Sequence, residues 1–344
     1  MNPAHSCPFC SLLCDDLPFE PGGGTGCLQA ERGYRRALAA AVRPAAPPEA
    51  LARARQMLAE ARQPLLLLGL GADLQAARAA LGLARALGAI LVLDDGGSLG
   101  SLALAMQAEG LLGGSLGELG AHPGPRLFCG GDPAGGMPRL WEFLDPLGSQ
   151  ARLSLGTRAS PAAVRRLRAG GRLRDTLAEA GSGVVLIGDA WLRAGVPLGR
   201  ELLAWLRELN REGRWYALPL PAGANAFGLS QALQAATGFP GSLRFRPEGV
   251  EYDPFGLQAP RLLQSASVDL VLIVGQPRAQ SFPVPSIQIS PARPGGRREV
   301  WLHAAQPGVD AAGSMLRVDG LRVELEPCAS CGVPTAAGLL EALA

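Results

Sequence analysis

From Pro47 onward the apolar residues follow two alternating rhythms. Glu49–Arg62 repeats with the spacing of an amphipathic helix, and Pro64-Leu-Leu-Leu-Leu-Gly69 is a continuous apolar run of strand length. Asp73–Gly88 predicts a second helix, and Ala89–Leu93 a second strand that ends at Asp94-Asp95. Further strands are predicted over Arg126–Gly130, Arg152–Leu155, Val184–Gly188, Trp215–Leu220 and Leu270–Gly275. Helices are predicted over Pro138–Phe143, Pro197–Arg211 and Leu229–Thr237. Strands without a polar face, alternating with helices, imply parallel sheets covered on both sides. Ser242–Pro260 carries Pro247, Pro254 and Pro260 and reads as an irregular loop, while Leu316–Glu326 alternates around Asp319-Gly320 as a hairpin would. The first 45 residues lack either rhythm. The expected fold is therefore α/β: a cysteine-rich module over 1–45, a Rossmann-like lobe over 46–158 completed by 298–344, and a second Rossmann-like lobe over 159–297.

Composition narrows the chemistry. Of 344 residues, 48% are hydrophobic and 18% charged, and all 32 basic side chains are arginine. Without lysine, no Schiff-base or phosphate-loop lysine mechanism is open to the chain. A net charge of +2, with arginines spread among 30 carboxylates, leaves no overall footprint for nucleic acid. The three histidines, His5, His122 and His303, lie too far apart for a multi-histidine metal motif. Runs such as Pro64–Leu70 and Val268–Gly275 fall short of the roughly 18 residues that cross a bilayer. Met1–Cys14 has no basic stretch followed by an apolar core, so the expectation is a cytoplasmic chain with neither a membrane nor a nucleic-acid partner. So little charge beside so much apolar content also predicts an exposed apolar patch covered in an assembly.

The cysteines carry the strongest local signal. Cys7-Pro-Phe-Cys10-Ser-Leu-Leu-Cys14 is followed after twelve residues by Cys27. Four thiolates on a short loop-rich segment can hold a 4Fe–4S cluster or a tetrahedral zinc, and C-x2-C-x3-C is closer to a cluster loop than to paired zinc knuckles. The alternative is four small buried residues with no metal. Cys328-Ala-Ser-Cys331 has redox or zinc half-site spacing but lacks a partner pair nearby, and reads as chance. Gly69-Leu-Gly71-Ala-Asp73 follows a strand and opens a helix as a dinucleotide fingerprint would, yet lacks the third glycine. It reads better as a tight turn with Asp73 capping the helix. Gly130-Gly131-Asp132-Pro133 and Gly275-Gln276-Pro277 also end strands where open sheets bind ligands, and are equally explicable as turns.

Residues 7–16, Cys-Pro-Phe-Cys-Ser-Leu-Leu-Cys-Asp-Asp, with Gly26-Cys27, resemble the start of the molybdopterin-type subunit of the formylmethanofuran dehydrogenase family, a branch of the molybdopterin oxidoreductases. The resemblance continues through Gly110–Glu118, Phe128–Pro133, Asn225–Gly228, Thr237–Pro240, Val268–Ile273, Phe282-Pro283 and Gly313–Asp319. It implies a cluster domain followed by two interlocked Rossmann-like domains, without the pterin-binding cap domain of larger relatives. It also implies that Cys7, Cys10, Cys14 and Cys27 are the cluster ligands.

The departures point away from redox chemistry. In active members a Cys-His-Gly-Pro run supplies the cysteine ligand to tungsten or molybdenum. Here that run falls on Ser98-Leu-Gly-Ser101, with Ser98 at the ligand position and Leu99 replacing the histidine. The lysine that often follows the fourth cluster cysteine is absent, Cys27 being followed by Leu28-Gln29-Ala30. Asp132 and Met137 replace an Asn and a His common in active relatives. Within the family the pattern is most similar to the corresponding subunits of bacterial formyltransferase/hydrolase complexes. In those complexes a formyl group moves from tetrahydromethanopterin to a methanofuran-like carrier and is hydrolysed to formate, with the zinc hydrolase and transferase sites on other subunits. The resemblance thus implies a non-redox structural subunit without a tungsten or molybdenum pterin and without catalytic residues of its own. The rival readings are an active tungsten- or molybdenum-pterin subunit and a stand-alone Rossmann-type binding protein.

Overall fold

The computed structural model describes residues 4–18, 25–279, 281–329 and 332–344. Cys331 lies outside them, so the Cys328–Cys331 spacing has no structural counterpart. The chain folds into two compact units: residues 1–96, 223–317 and 322–344 form the first, and residues 97–222 with 318–321 the second.

A seven-stranded sheet organises the first unit. Its order is Gly249–Tyr252, Leu243–Arg246, Ile90–Leu93, Pro64–Leu68, Leu270–Val274, Ser286–Ser290 and Val300–His303. The last five run parallel, and the 243–252 hairpin joins antiparallel at one edge. Every residue of Pro64–Leu68, Ile90–Leu93 and Leu270–Val274 is buried, as strands covered on both faces must be. On one face Leu65, Leu67, Ile90, Val92, Val271 and Ile273 pack in one cluster with Leu257, Leu262 and Val268. Helix Leu74–Ala86 packs against Ala226–Thr237 and Ala336–Leu343.

The second unit is built on a four-stranded parallel sheet, ordered Arg152–Ser154, Arg126–Cys129, Ser182–Gly188, Arg214–Leu220. Helix Val196–Leu209 packs on Ser98–Glu109, where the missing side chain of Gly199 lets the helices approach: a Cβ there would stand 3.1 Å from that of Ala105. The unit is pinned by Arg126, which has no exposed surface. Its guanidinium donates to the carbonyls of Leu119 (2.8 Å), Gly120 (3.3 Å) and His122 (2.8 Å) at the end of helix Leu116–Ala121, and to Gly124 and Leu144. The planar fork thus satisfies helix-terminal carbonyls that would otherwise be buried without donors.

The α/β class and the parallel sheets are as the sequence implies, and every predicted strand is present within two residues of its expected ends. The lobe boundaries differ. The units divide at 96/97 and 222/223, not at 158/159 and 297/298, and residues 1–45 are part of the first unit rather than a separate module. The strand Leu270–Val274, assigned from sequence to the second lobe, pairs instead with Pro64–Leu68, register Leu272 to Leu66. Any fully apolar parallel strand suits either sheet, so local sequence does not choose between them. The N-terminal stretch contains a fourteen-residue helix, Leu28–Ala41, burying Ala30, Gly33, Tyr34, Ala37 and Ala40. Alanine and glycine at those positions give a shallow apolar stripe that the eye misses.

Ser242–Pro260 is not irregular either. Pro247 sits in the turn between strands Leu243–Arg246 and Gly249–Tyr252, and Pro260 lies in the first turn of helix Ala259–Gln264, both positions where a missing N–H costs nothing. The late hairpin is confirmed as Gly313–Leu316 paired with Arg322–Leu325. Among the described residues no helix is long and apolar enough to cross a membrane. The large exposed apolar side chains, including Leu28, Val42, Leu147 and Phe255, lie far apart in sequence.

Replacing Arg126 by Met removes the donors of five carbonyl contacts at one buried point. Equilibrium denaturation is expected to show a loss of about 3–5 kcal/mol, and Arg126→Lys most of that loss, because three donors on a flexible stem cannot reproduce the fork.

Candidate functional site

The four N-terminal cysteines are built into the first unit by a tight loop. The Cys7 amide donates to the Cys14 carbonyl at 2.8 Å and the Leu13 amide to that of Cys10 at 3.2 Å, with Leu13 in the left-handed region (φ 43°). Cys27 stands at the N-cap of helix Leu28–Ala41, its amide and carbonyl both bonded to the Thr25 hydroxyl. Phe9 locks the loop to that helix. Its ring meets Tyr34 edge-on at 4.9 Å and lies where a Cβ on Gly33 would be, 2.2 Å away, so only glycine fits there. Leu13 joins Met315, Val323 and Leu325 of the late hairpin in a small core of its own.

All four cysteines are buried and none is oxidised to a disulfide. Burial pushes the Cys7 thiol well above the ordinary thiol range, and Cys10, Cys14 and Cys27 add to the rise by repelling its thiolate. Cys10 is raised by burial and again by Cys27. The fold therefore gathers the four sulfurs into one neighbourhood. It does not close them into a ligand set: among the described residues no group of three or more His, Cys, Asp or Glu is arranged to hold a metal ion. Cys328 reaches the same region, its thiol raised by burial and its charge felt by the Tyr34 hydroxyl, as is that of Cys7. The sequence spacing of Cys328 offered no sign of this.

The carboxyl edges of the parallel sheets, where open α/β folds bind ligands, are closed by the chain itself. After Pro64–Leu68 the amides of Gly69, Leu70 and Gly71 donate to the carbonyls of Val274 (2.7 Å), Gln276 (3.0 Å) and Ala224 (3.1 Å). A phosphate would find these donors taken. Asp73 then caps helix Leu74–Ala86, accepting from the Ala76 amide at 2.8 Å and from the Ser314 backbone, although burial raises its carboxyl above the usual range. A carboxylate already holds the position where a pyrophosphate would dock. Gly69-Leu-Gly71 is thus the tight turn and cap that the missing third glycine suggested.

The remaining edge positions repeat the pattern. Asp94 accepts from the Arg278 amide, and burial raises it against the pull of that arginine. Asn225, 1% exposed and in the left-handed region, ties the Ala72 carbonyl (2.7 Å) to the Leu316 amide (2.9 Å). In the second unit Asp132 accepts from the Ala134 amide and the Trp141 indole, and Asp189 from the Ala222 amide. Aspartate and asparagine at the ends of apolar strands were the sequence signal for this closure.

Ser98 opens helix Ser98–Glu109 behind two left-handed glycines, Gly96 and Gly97, and has no exposed surface; Leu99 is 3% exposed. The position that resembles the family's metal ligand is therefore closed to solvent. Met137 is also buried. Two of the histidines make structural contacts: His122 accepts from the Gly124 amide and packs edge-on against Tyr216, and the His303 Nδ1 lies 3.1 Å from the Pro44 carbonyl.

The geometry defines a two-unit α/β protein of parallel sheets with an N-terminal cysteine loop. Its fold is similar to a chain in the crystal structure of the formyltransferase/hydrolase complex (FhcABCD) from Methylorubrum extorquens, determined in complex with methylofuran, at a TM-score of 0.74. The two are 23% identical, and the match covers 88% of this chain and 96% of that one. No family model matches the sequence, and neither does any curated protein.

Replacing Asp73 by Ala is expected to cost about 1 kcal/mol of stability through loss of the cap. Gly69→Ala, whose Cβ would lie 2.6 Å from the Gln276 carbonyl oxygen, is expected to cost more. Neither variant should gain affinity for a dinucleotide in calorimetric titration, because the loop amides stay bonded within the chain.

Proposed function

We propose that this chain is a non-redox structural subunit of a formyltransferase/hydrolase complex acting in tetrahydromethanopterin-linked one-carbon oxidation. The complex would transfer a formyl group to a methanofuran-like carrier and release it as formate. The observation that carries the reading is the likeness of fold over almost the full length of a chain from such a complex. The buried Ser98 and Leu99 and the self-satisfied carboxyl edges support a subunit without a metal pterin. In this reading the hydrolytic zinc and the transferase site belong to other subunits, the assembly is cytoplasmic, and this chain's part is to hold its partners.

The cysteine loop favours a second element of the proposal. Cys7, Cys10, Cys14 and Cys27 would hold a 4Fe–4S cluster or a zinc ion, whose chemistry here is to draw the four thiolates together and brace the loop. Their burial and mutual repulsion fit that role, since an apolar pocket of thiols ionises only when a cation compensates. The same loop also suits the rival, an active tungsten- or molybdenum-pterin subunit with Ser98 as an unusual ligand.

Metal analysis of the anaerobically purified complex separates these readings. We expect iron or zinc, neither tungsten nor molybdenum, and formate release from a formylated carrier without reduction of viologen dyes. Ser98→Cys should not bring dye reduction, since the neighbouring histidine is still Leu99. Stoichiometric tungsten or molybdenum, with dye reduction lost on Ser98→Ala, would establish the rival.

Paired Cys10→Ser and Cys27→Ser substitutions test the cysteine site. They should release the metal and lower the melting temperature by about 5 °C. Unchanged metal content would sink the assignment.

A further inference from the structure

We propose that the arginine-rich face of the second unit is a docking surface for an acidic segment of a partner protein. Between Asp145 and Asp175 the chain carries seven arginines and neither Asp nor Glu, although its overall charge is only +2. The structure sorts these arginines into two groups. Arg152 pairs with Asp145 at 2.9 Å and lies over the Trp141 ring, and Arg168 is shared between Glu201 and Glu208. Arg158, Arg165, Arg166, Arg172 and Arg174 are exposed and have no ion pair among the described residues.

Their placement is not explained by local stability. Helix Pro161–Ala169 buries Ala163, Val164 and Leu167 and turns Arg165 and Arg166 to solvent. Arg172 and Arg174 stand in the first turn of helix Arg172–Ala180, behind Gly171, which supplies no side-chain cap. That is the positive end of the helix dipole, where cations are disfavoured and carboxylates welcome, and the turn's own Asp175 sets one carboxylate against two arginines. A partner's carboxylates would relieve the repulsion that the fold builds in.

The same helices border a cavity of about 560 Å³. Leu167, Leu177, Trp205 and Trp215 form its apolar wall, and Arg174 and Arg211 stand at its margin. It lies at the amino end of the four-stranded sheet, beside Gly181 and Gly213, away from the edge closed by Asp132 and Asp189. The recess has a mixed lining, with Glu208 and Glu212 beside Arg168, Arg174 and Arg211 over the nearly buried tryptophans, and arginine beside aromatic side chains is common at protein–protein contacts. Nucleic acid would be drawn to the same charge, but a chain of net charge +2 offers no extended basic track for a phosphate backbone, and Glu208 and Glu212 on the cavity wall confine an acidic partner's carboxylates to the arginines outside the recess. The surface rests on the subunit reading only for which protein supplies the acidic segment.

The test uses the full chain and a short fluorescein-labelled peptide of Asp and Glu around one Trp, followed by fluorescence polarisation, with polyuridine RNA as the alternative probe. The peptide should bind, more weakly as salt rises, and at least about tenfold more weakly to the Arg165→Ser, Arg166→Ser, Arg172→Ser triple variant. Unchanged far-ultraviolet dichroism and melting would show that this variant folds. Ala178→Trp fills the recess from an exposed helix position without altering charge. It should erase the advantage of the Trp peptide over one with Gly in its place. Peptide binding indifferent to the arginines, or RNA bound more tightly with the same dependence on them, would overturn the proposal. If peptide binding fails while the chain still co-purifies with a formyl-transferring complex, the docking surface falls and the subunit reading stands. Peptide binding by a chain that co-purifies with no such complex would leave the surface standing and reject the subunit reading.

Discussion

The first unit depends on how the backbone N–H groups just beyond Pro64–Leu68 are satisfied. Gly69, Leu70 and Gly71 donate in turn to Val274, Gln276 and Ala224, so two segments more than 150 residues further along the chain meet this turn within three residues. Buried amides must be paired, and here the pairing is entirely internal. The close approach also sets the residue types: a side chain at Gly69 or Gly275 would run into the opposing backbone. One constraint therefore holds the sheet together and closes the crevice where such sheets bind cofactors.

The second unit solves the corresponding problem with a side chain. Arg126 starts a central strand and reaches back to the carbonyls that end helix Leu116–Ala121. A buried cation among carbonyl dipoles fixes the helix against the sheet; burial lowers its proton affinity, and a guanidinium keeps its charge in proteins. The carboxyl edges of both sheets are likewise committed to structure.

The cysteine loop stands apart from this economy. Leu12 and Leu13 are buried with a short loop that packs on the late hairpin through Leu13, and the Cys7 and Cys10 thiols it carries are raised by burial and by neighbouring cysteines. Loop and hairpin are distant in sequence, so the hairpin's packing is coupled to whatever state the thiols adopt. A bound cation would remove the repulsion, and neutral thiols leave it latent.

By itself the sequence determined the α/β class, seven of the strands, the cysteine loop and the Asp73 cap, because each is written in local terms: apolar runs, residue spacing, a capping residue before a helix. The late hairpin was legible for the same reason. Only the tertiary structure decided which strands share a sheet, since Leu270–Val274 is apolar on both faces and suits either. It also revealed Ser286–Ser290 and Val300–His303 as strands, one of them carrying a buried Gln288 that the Gly275 carbonyl and Arg298, together with the neighbouring Ser290, satisfy. No local pattern announces a buried glutamine whose partners lie elsewhere in the chain. The arginine-rich face follows the same logic: its seven charges are plain in the sequence, but which are neutralised is settled by Glu201 and Glu208, carboxylates that only folding brings to Arg168.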